Sequence, residues 1–221
     1  MATIGVSKPY YAVYSNTGTT VKYAEGGVAG KATELNIEIE AAEDNALYAD
    51  NTIAENDTSF SGGTLTVSTD DLTPEVATAI LGVTSQALDT IEGITDEDVN
   101  ELIYDDDQTS PYLGFGIIIK KKHLNEYKWR AIVLTKIQFA IPSDAAVTQG
   151  ETIEWQVPEL TATITRDESE KHTWKKEATL LRRPRLRPTS KRGSTSRRGR
   201  GMRTATIRLS GRDYPLCFPP G

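Results

Sequence analysis

Two strand-forming runs, residues 112–119 and 128–139, joined by a polar turn, set the terms for everything else this chain can fold into. Side chains alternate faces along a strand. In the second run strict alternation puts Trp129, Ala131, Val133, Ile137 and Phe139 on one face. Lys128, Arg130, Lys136 and Gln138 share the other face with Ile132 and Leu134. A face that is polar at both ends and apolar in the middle leaves two readings open. The strand meets a core on one side and a neighbouring subunit on the other, or it is the central strand of an ordinary sandwich. Either way the chain is a β-protein, and the pattern alone names no function.

The rest of the sequence agrees with that class. Residues 10–14 read as a short aromatic strand and 15–18 as a turn. Residues 35–40 alternate Leu35, Ile37 and Ile39 with Asn36, Glu38 and Glu40, the mark of a half-exposed strand. A β-branched strand is predicted over 64–69, and further strand over 153–165, with Pro158 marking an edge or bulge. Gly26-Gly27 and Gly62-Gly63 read as turns, and 49–58 as a loop. The stretch 41–62 has few large apolar anchors, so it is expected to leave the core and touch a neighbouring subunit. One helix is expected near 74–81, with Thr73 as cap, Pro74 at the first position, Glu75 in the first turn and Gly82 as stop. Val76, Ile80 and Leu81 would face inward. A weaker helical pattern covers 95–102.

Charge divides the chain more sharply than any motif. The formal net charge of −6 is the sum of −17 over residues 1–178 and +11 over 179–221. The first part uses 11 Lys and 2 Arg; the second uses 1 Lys and 11 Arg, with half of the prolines. This gives a β-domain over 1–178 and an Arg/Pro-rich tail over 179–221. The tail is expected to be disordered, because it offers little to bury against the entropy of ordering. A frameshifted gene end is one explanation of the break; one neighbouring frame of the tail's start can encode an acidic, helix-forming peptide. A genuine Arg-rich arm is the other.

Catalytic and ligand-binding signals are weak. His123 lies beside Lys120, Lys121 and Lys122, and His172 in a charged stretch; neither has a nucleophile–base motif around it. Cys217 is the only cysteine, so it has no cysteine partner for a disulfide or a zinc site. Asp105, Asp106 and Asp107 lack the alternating spacing and mid-loop glycine of a calcium loop. No phosphate-binding glycine pattern occurs. No apolar run is long enough to cross a membrane, and the first residues do not read as a secretory signal. The chain reads as a non-enzyme, with no catalytic, cofactor-binding or metal residues and no cofactor.

From about Lys8 to Ala178 the chain resembles the major tail protein of long, non-contractile-tailed bacteriophages of Gram-positive hosts. The resemblance rests on residues 5–12, with Lys8-Pro9-Tyr10-Tyr11, on 70–76, with Leu72-Thr73-Pro74-Glu75, and on 111–116, with Pro111-Tyr112-Leu113-Gly114-Phe115-Gly116. Residues 127–131, 135–139 and 154–158 complete it, in matching order and spacing. It implies a tail-tube subunit: a β-sandwich or split barrel with one packed helix, assembled into hexameric rings. Stacked rings would form the tube through which phage DNA passes during ejection. The implied partners are further copies of the chain, tape measure and tail terminator proteins, and DNA transiently in the lumen, with no membrane. The implied location is the virion, after synthesis in the host cytoplasm. An acidic body suits a lumen that repels phosphates, and equally a subunit that must stay soluble before assembly. The family assigns no catalytic or ligand residues, so none is carried over. The competing readings are a nucleic-acid-binding protein with an acidic β-domain and a basic arm, and a sandwich module for adhesion or carbohydrate binding.

Overall fold

The structure is a computed structural model that describes residues 2–41, 45–87, 100–124, 126–148 and 155–181, with short strands at 187–188, 203–209 and 212–218. Among the described residues it is mostly β-sheet with a single short helix, as the sequence pattern predicts. Eight strands form one antiparallel sheet: β1 (Ala2–Thr17), β2 (Thr20–Val28), β3 (Ala32–Ala41), β6 (Phe60–Thr69), β9 (Leu113–His123), β10 (Glu126–Phe139), β11 (Glu159–Thr165) and β12 (Lys175–Leu180). Their order is β2-β1-β9-β10-β11-β6-β3, with β12 also bonded to β10. Two hairpins stand apart from it: β4 (Asn45–Ala49) with β5 (Thr52–Asp57), and β7 (Thr84–Ala87) with β8 (Asn100–Ile103).

β10 is the strand the sheet turns on. Along one edge it pairs with β9 over most of its length. Along the other it pairs with β12 from Trp129 to Leu134 and then with β11 from Lys136 to Phe139. The change of partner coincides with a bulge. Leu134 faces Phe115 and Ile137 faces Leu113, so Thr135 and Lys136 together oppose Gly114. One extra residue inverts the alternation. Ile132, Leu134, Ile137 and Phe139 therefore all enter the same core, where strict alternation separates the first two from the last two. The face that looked polar at both ends and apolar in the middle is a product of this parity change.

The core continues through Leu113, Phe115 and Ile117 of β9, Leu160, Ala162 and Ile164 of β11, and Leu65 and Val67 of β6. Helix α1 (Pro74–Leu81) closes it with Ala77, Ile80 and Leu81. Its ends are close to expectation. Pro74 opens it and Gly82 ends it in the left-handed region at φ 71, its N–H bonded to Thr78 O at 3.1 Å. Thr73 is extended but makes no side-chain cap bond. Ala77 rather than Val76 is the fully buried residue of the first turn. Gln108 Nε2 and Ser110 Oγ donate to Leu81 O at 3.0 and 3.3 Å, satisfying a carbonyl that the helix end leaves open.

Several sequence expectations are corrected. The 49–58 loop is the turn and second strand of the β4–β5 hairpin. Asp50 and Asn51 carry it at φ 51 and 62, the paired left-handed geometry that matches hairpin twist and that Asx residues tolerate. Gly26-Gly27 and Gly62-Gly63 are interior to β2 and β6. At Gly27 a Cβ would meet Tyr11 Oη at 2.7 Å, so glycine serves close approach there rather than turning. Of the strand expected over 153–165, Glu159–Thr165 forms β11, Trp155, Gln156 and Val157 are outside any strand, and 153–154 lie outside the described residues. Of the 95–102 helix, residues 100–102 are in strand β8, and the earlier part lies outside the described residues.

β12 runs past Ala178, with Thr179 and Leu180 opposite Arg130 and Trp129. β13 (Arg187–Pro188), β14 (Arg203–Leu209) and β15 (Arg212–Phe218) make a small antiparallel sheet. The sequence of β14 is rich in β-branched types, which favour extended backbone.

Gly114 tests the bulge. A Cβ there would sit 2.5 Å from Tyr23 Cε1, whereas one at Gly5 meets nothing within 4 Å. Gly114→Ala is expected to cost about 1–3 kcal/mol in urea unfolding, and Gly5→Ala less than about 0.5 kcal/mol. Equal effects would place the crowding elsewhere.

Candidate functional site

On the face of β10 away from the core, the bulge gathers a polar cluster from four parts of the chain. Tyr23, from β2, lays its ring over Gly114 and donates its hydroxyl to Thr135 O at 2.8 Å. The segment between β11 and β12 docks on the same point. Thr135 N donates to Trp174 O at 3.1 Å, and Thr135 Oγ1 to Thr173 O at 2.5 Å. Lys136, next in the bulge, pairs with Glu168, and Glu168 also accepts the Tyr14 hydroxyl. The Lys136 ammonium lies 4.2 Å from the Tyr112 ring centroid and 5.5 Å from that of Tyr14.

The docked segment is internally braced. Asp167 is buried and accepts Ser169 N–H at 3.1 Å and Ser169 Oγ at 2.5 Å. Its own N–H donates to Thr173 O at 3.1 Å. Phe60 and Trp174 stack with centroids 4.4 Å apart. Arg130 holds the following strand through a two-point pair with Glu177, Nε to Oε1 at 2.5 Å and Nη2 to Oε2 at 2.7 Å. This arrangement positions a chain segment; it does not assemble a nucleophile, base and oxyanion donors around a cavity.

The residues weighed from sequence are scattered. His123 is exposed at the end of β9. His172 is in the 167–173 turn at φ 46, its Nδ1 3.2 Å from Asp167 O. Asp105, Asp106 and Asp107 are exposed in a turn, and the Cys217 side chain lies outside the described residues. Among the described residues no group of three or more His, Cys, Asp or Glu could hold a metal ion, and no helix is long and apolar enough to cross a membrane. What sequence reasoning missed is the Tyr14–Lys136–Glu168 cluster. Its members are far apart in the chain, and only the break in alternation at Thr135-Lys136 hinted at it.

A second feature is surface rather than cluster. The β4–β5 hairpin leaves the main sheet with Leu47, Tyr48 and Ile53 each more than half exposed, at 61, 67 and 58%. Large apolar side chains grouped on a projection mark an interaction surface more often than scattered ones do. No known protein family matches the chain, and no curated protein is significantly similar to it.

The Lys136 ammonium, then the Tyr14 hydroxyl, hold the Glu168 carboxyl below its usual range. Burial, then the bond to Glu168, pushes the Tyr14 phenol up to about 12. The Glu168 contribution is complete above the ordinary carboxylate pKa and is lost as pH falls through the depressed value. The Tyr14 contribution is present below pH 10 and is lost between there and about 12. Because the Glu168 side chain is 39% exposed, its effect is small, below about 1 kcal/mol. Glu168→Gln is expected to flatten the acid limb of stability against pH, followed by urea unfolding, and to leave the core's unfolding slope unchanged.

Proposed function

We propose that this chain is a structural subunit of a phage-type tail tube, a β-protein that completes its surface only in a ring of copies. The observation that carries the reading is the β4–β5 hairpin, which takes three large apolar side chains away from the core into solvent. A subunit that seats this arm on a neighbour buries that surface. The long central strand and the end strands β2 and β3, each bonded on one side only, also suit assembly. Unfinished sheet edges invite uncontrolled pairing, and ring closure removes that hazard. We read the continuous sheet, with β3 approaching β1 although not bonded to it, as the split-barrel form the resemblance implies. Six copies per ring, stacking into a DNA channel, and a place in the virion with tape measure and terminator proteins come from the resemblance alone.

The second reading, nucleic-acid binding through the basic arm, rests on the +11 charge of residues 179–221. It predicts a DNA mobility shift at low salt that fades steeply as salt rises. The tube reading predicts hollow rings or tubes of the purified protein in negative-stain electron microscopy. Changing Leu47, Tyr48 and Ile53 together to Ser should leave thermal unfolding nearly unchanged, because surface substitutions act weakly on stability, and should abolish those particles. Monomers alone at every concentration and salt, with no such particles in virions, would overturn the reading.

A further inference from the structure

The tip of the β9–β10 hairpin is out of character with the acidic domain that carries it. Lys120, Lys121 and Lys122 end β9, and Lys128 and Arg130 begin β10. These are five of the 13 basic residues in a segment of net charge −17. Three of the five charges have partners nearby. Arg130 is held by Glu177, and the Lys120 and Lys122 ammonium groups lie 4.2 and 5.9 Å from the Tyr127 ring centroid. Lys121 and Lys128 differ. They are directly opposite each other in the ladder, and among the described residues no carboxylate forms an ion pair with either. Like charges in that position repel across the strand pair, so an isolated subunit carries a standing cost there.

The complementary surface is on the same chain, and among the described residues no ion pair joins the two within it. β3 presents Glu34, Glu38 and Glu40 on its exposed positions, with the Asn36 amide donating to Glu38 Oε1 at 2.9 Å. The ladder connects Gln138 to Thr163, Thr163 to Thr64, and Thr64 to Glu38. Lys128 precedes Gln138 by ten residues on β10, which is roughly 30 Å along the strand. The spacing fits between molecules: carboxylates two residues apart on one strand are about 7 Å apart, and opposed lysines about 5 Å. Both gaps are within the reach of flexible lysines.

We propose that the Lys121–Lys128 tip of one copy docks on the Glu38–Glu40 face of β3 in a second copy of this chain. The contact joins two different patches, so it is heterologous and propagates to a ring or a filament. The occupant is a second copy because the acid is already on this chain, in strand form and at a spacing that flexible lysines reach. A nucleic acid approaching the tip would meet the field of the surrounding acidic domain. The inference deepens the self-assembly proposed above and rests on it.

Charge exchange in the full-length chain tests it, by sedimentation velocity and electron microscopy at low and high salt. Lys121→Glu with Lys128→Glu, and separately Glu38→Lys with Glu40→Lys, should each raise the concentration needed for assembly at least tenfold. Circular dichroism should remain that of the wild type. Mixing the two variants should restore particles, since each then offers the other a complementary pair, and salt should weaken the effect. Lys121→Gln with Lys128→Gln gives the same direction if charge reversal disturbs folding. If wild-type chains assemble and both charge variants assemble equally well, the contact is wrong while the tube reading stands. If the lysine variant instead loses binding to a DNA duplex and assembles normally, the tip serves nucleic acid and the inference is overturned. If the wild type never assembles, both fail together.

Discussion

The extra residue in β10 is the constraint on which the rest of this structure depends. Counting by twos from Ile132 and Leu134 leads to Lys136 and Gln138, and an unbulged strand would drive both into the core. A charge buried without a partner is among the costliest errors a fold can make. The bulge at Thr135 and Lys136 keeps both polar side chains on the outer face and returns Ile137 and Phe139 to the core. It also frees the strand to change neighbours at that point, from β12 to β11. The backbone groups around the irregularity are satisfied from outside the ladder: Tyr23 donates to Thr135 O, and Trp174 O accepts from Thr135 N. Gly114 opposite leaves room for the Tyr23 ring. Parity, partner exchange and the docking of residues 167–174 are thus consequences of one inserted residue.

This explains which parts of the fold were legible in the sequence. β9, α1 and the middle of β3 and β6 each obey a single period, the β3–β6 register slipping only near its ends, so alternation or helical spacing with a glycine stop locates them. β10 was found as a strand but its faces were misassigned, because a pattern of period two has no memory of a one-residue slip. The β4–β5 hairpin escaped notice because its turn is Asp50-Asn51 with no glycine. Local propensity also assigned strand to 153–157, yet 155–157 have no ladder partner, and Trp155 is 84% exposed. Strand propensity reflects fit to neighbours more than an intrinsic preference. The Tyr14–Lys136–Glu168 cluster was invisible for a different reason. Tyr14 and Glu168 are 154 residues apart, and only the assembled sheet brings them together.

Charge is distributed with the same logic as apolar surface: what the domain can satisfy internally, it does. Lys136 and Glu168 neutralise each other over an aromatic floor, and Arg130 and Glu177 fasten β12 to β10. Such pairs contribute little energy where water reaches them; their value is in fixing where a segment lies. The groups left over are then informative. The Lys121–Lys128 pair, the carboxylates of β3 and the apolar side chains of β4–β5 are all at the periphery of the main sheet, and none is part of its core. These margins are the surfaces that the proposed contact between copies would use.

The basic tail fits this division. The large sheet is complete at Leu180, which pairs with Trp129, and the strong compositional break follows at once. β14 bonds to β13 and to β15, and none of the three bonds to a strand of the large sheet, although β15 lies close to β2. No ladder of the domain therefore relies on the Arg-rich residues, whichever explanation of the break is correct. The two regions are also opposite in sign, +11 against −17. Attraction between an Arg-rich segment and an acidic surface is long-ranged, weakly directional and screened by salt. It would compete with any ordered contact that the acidic β3 face makes with another copy.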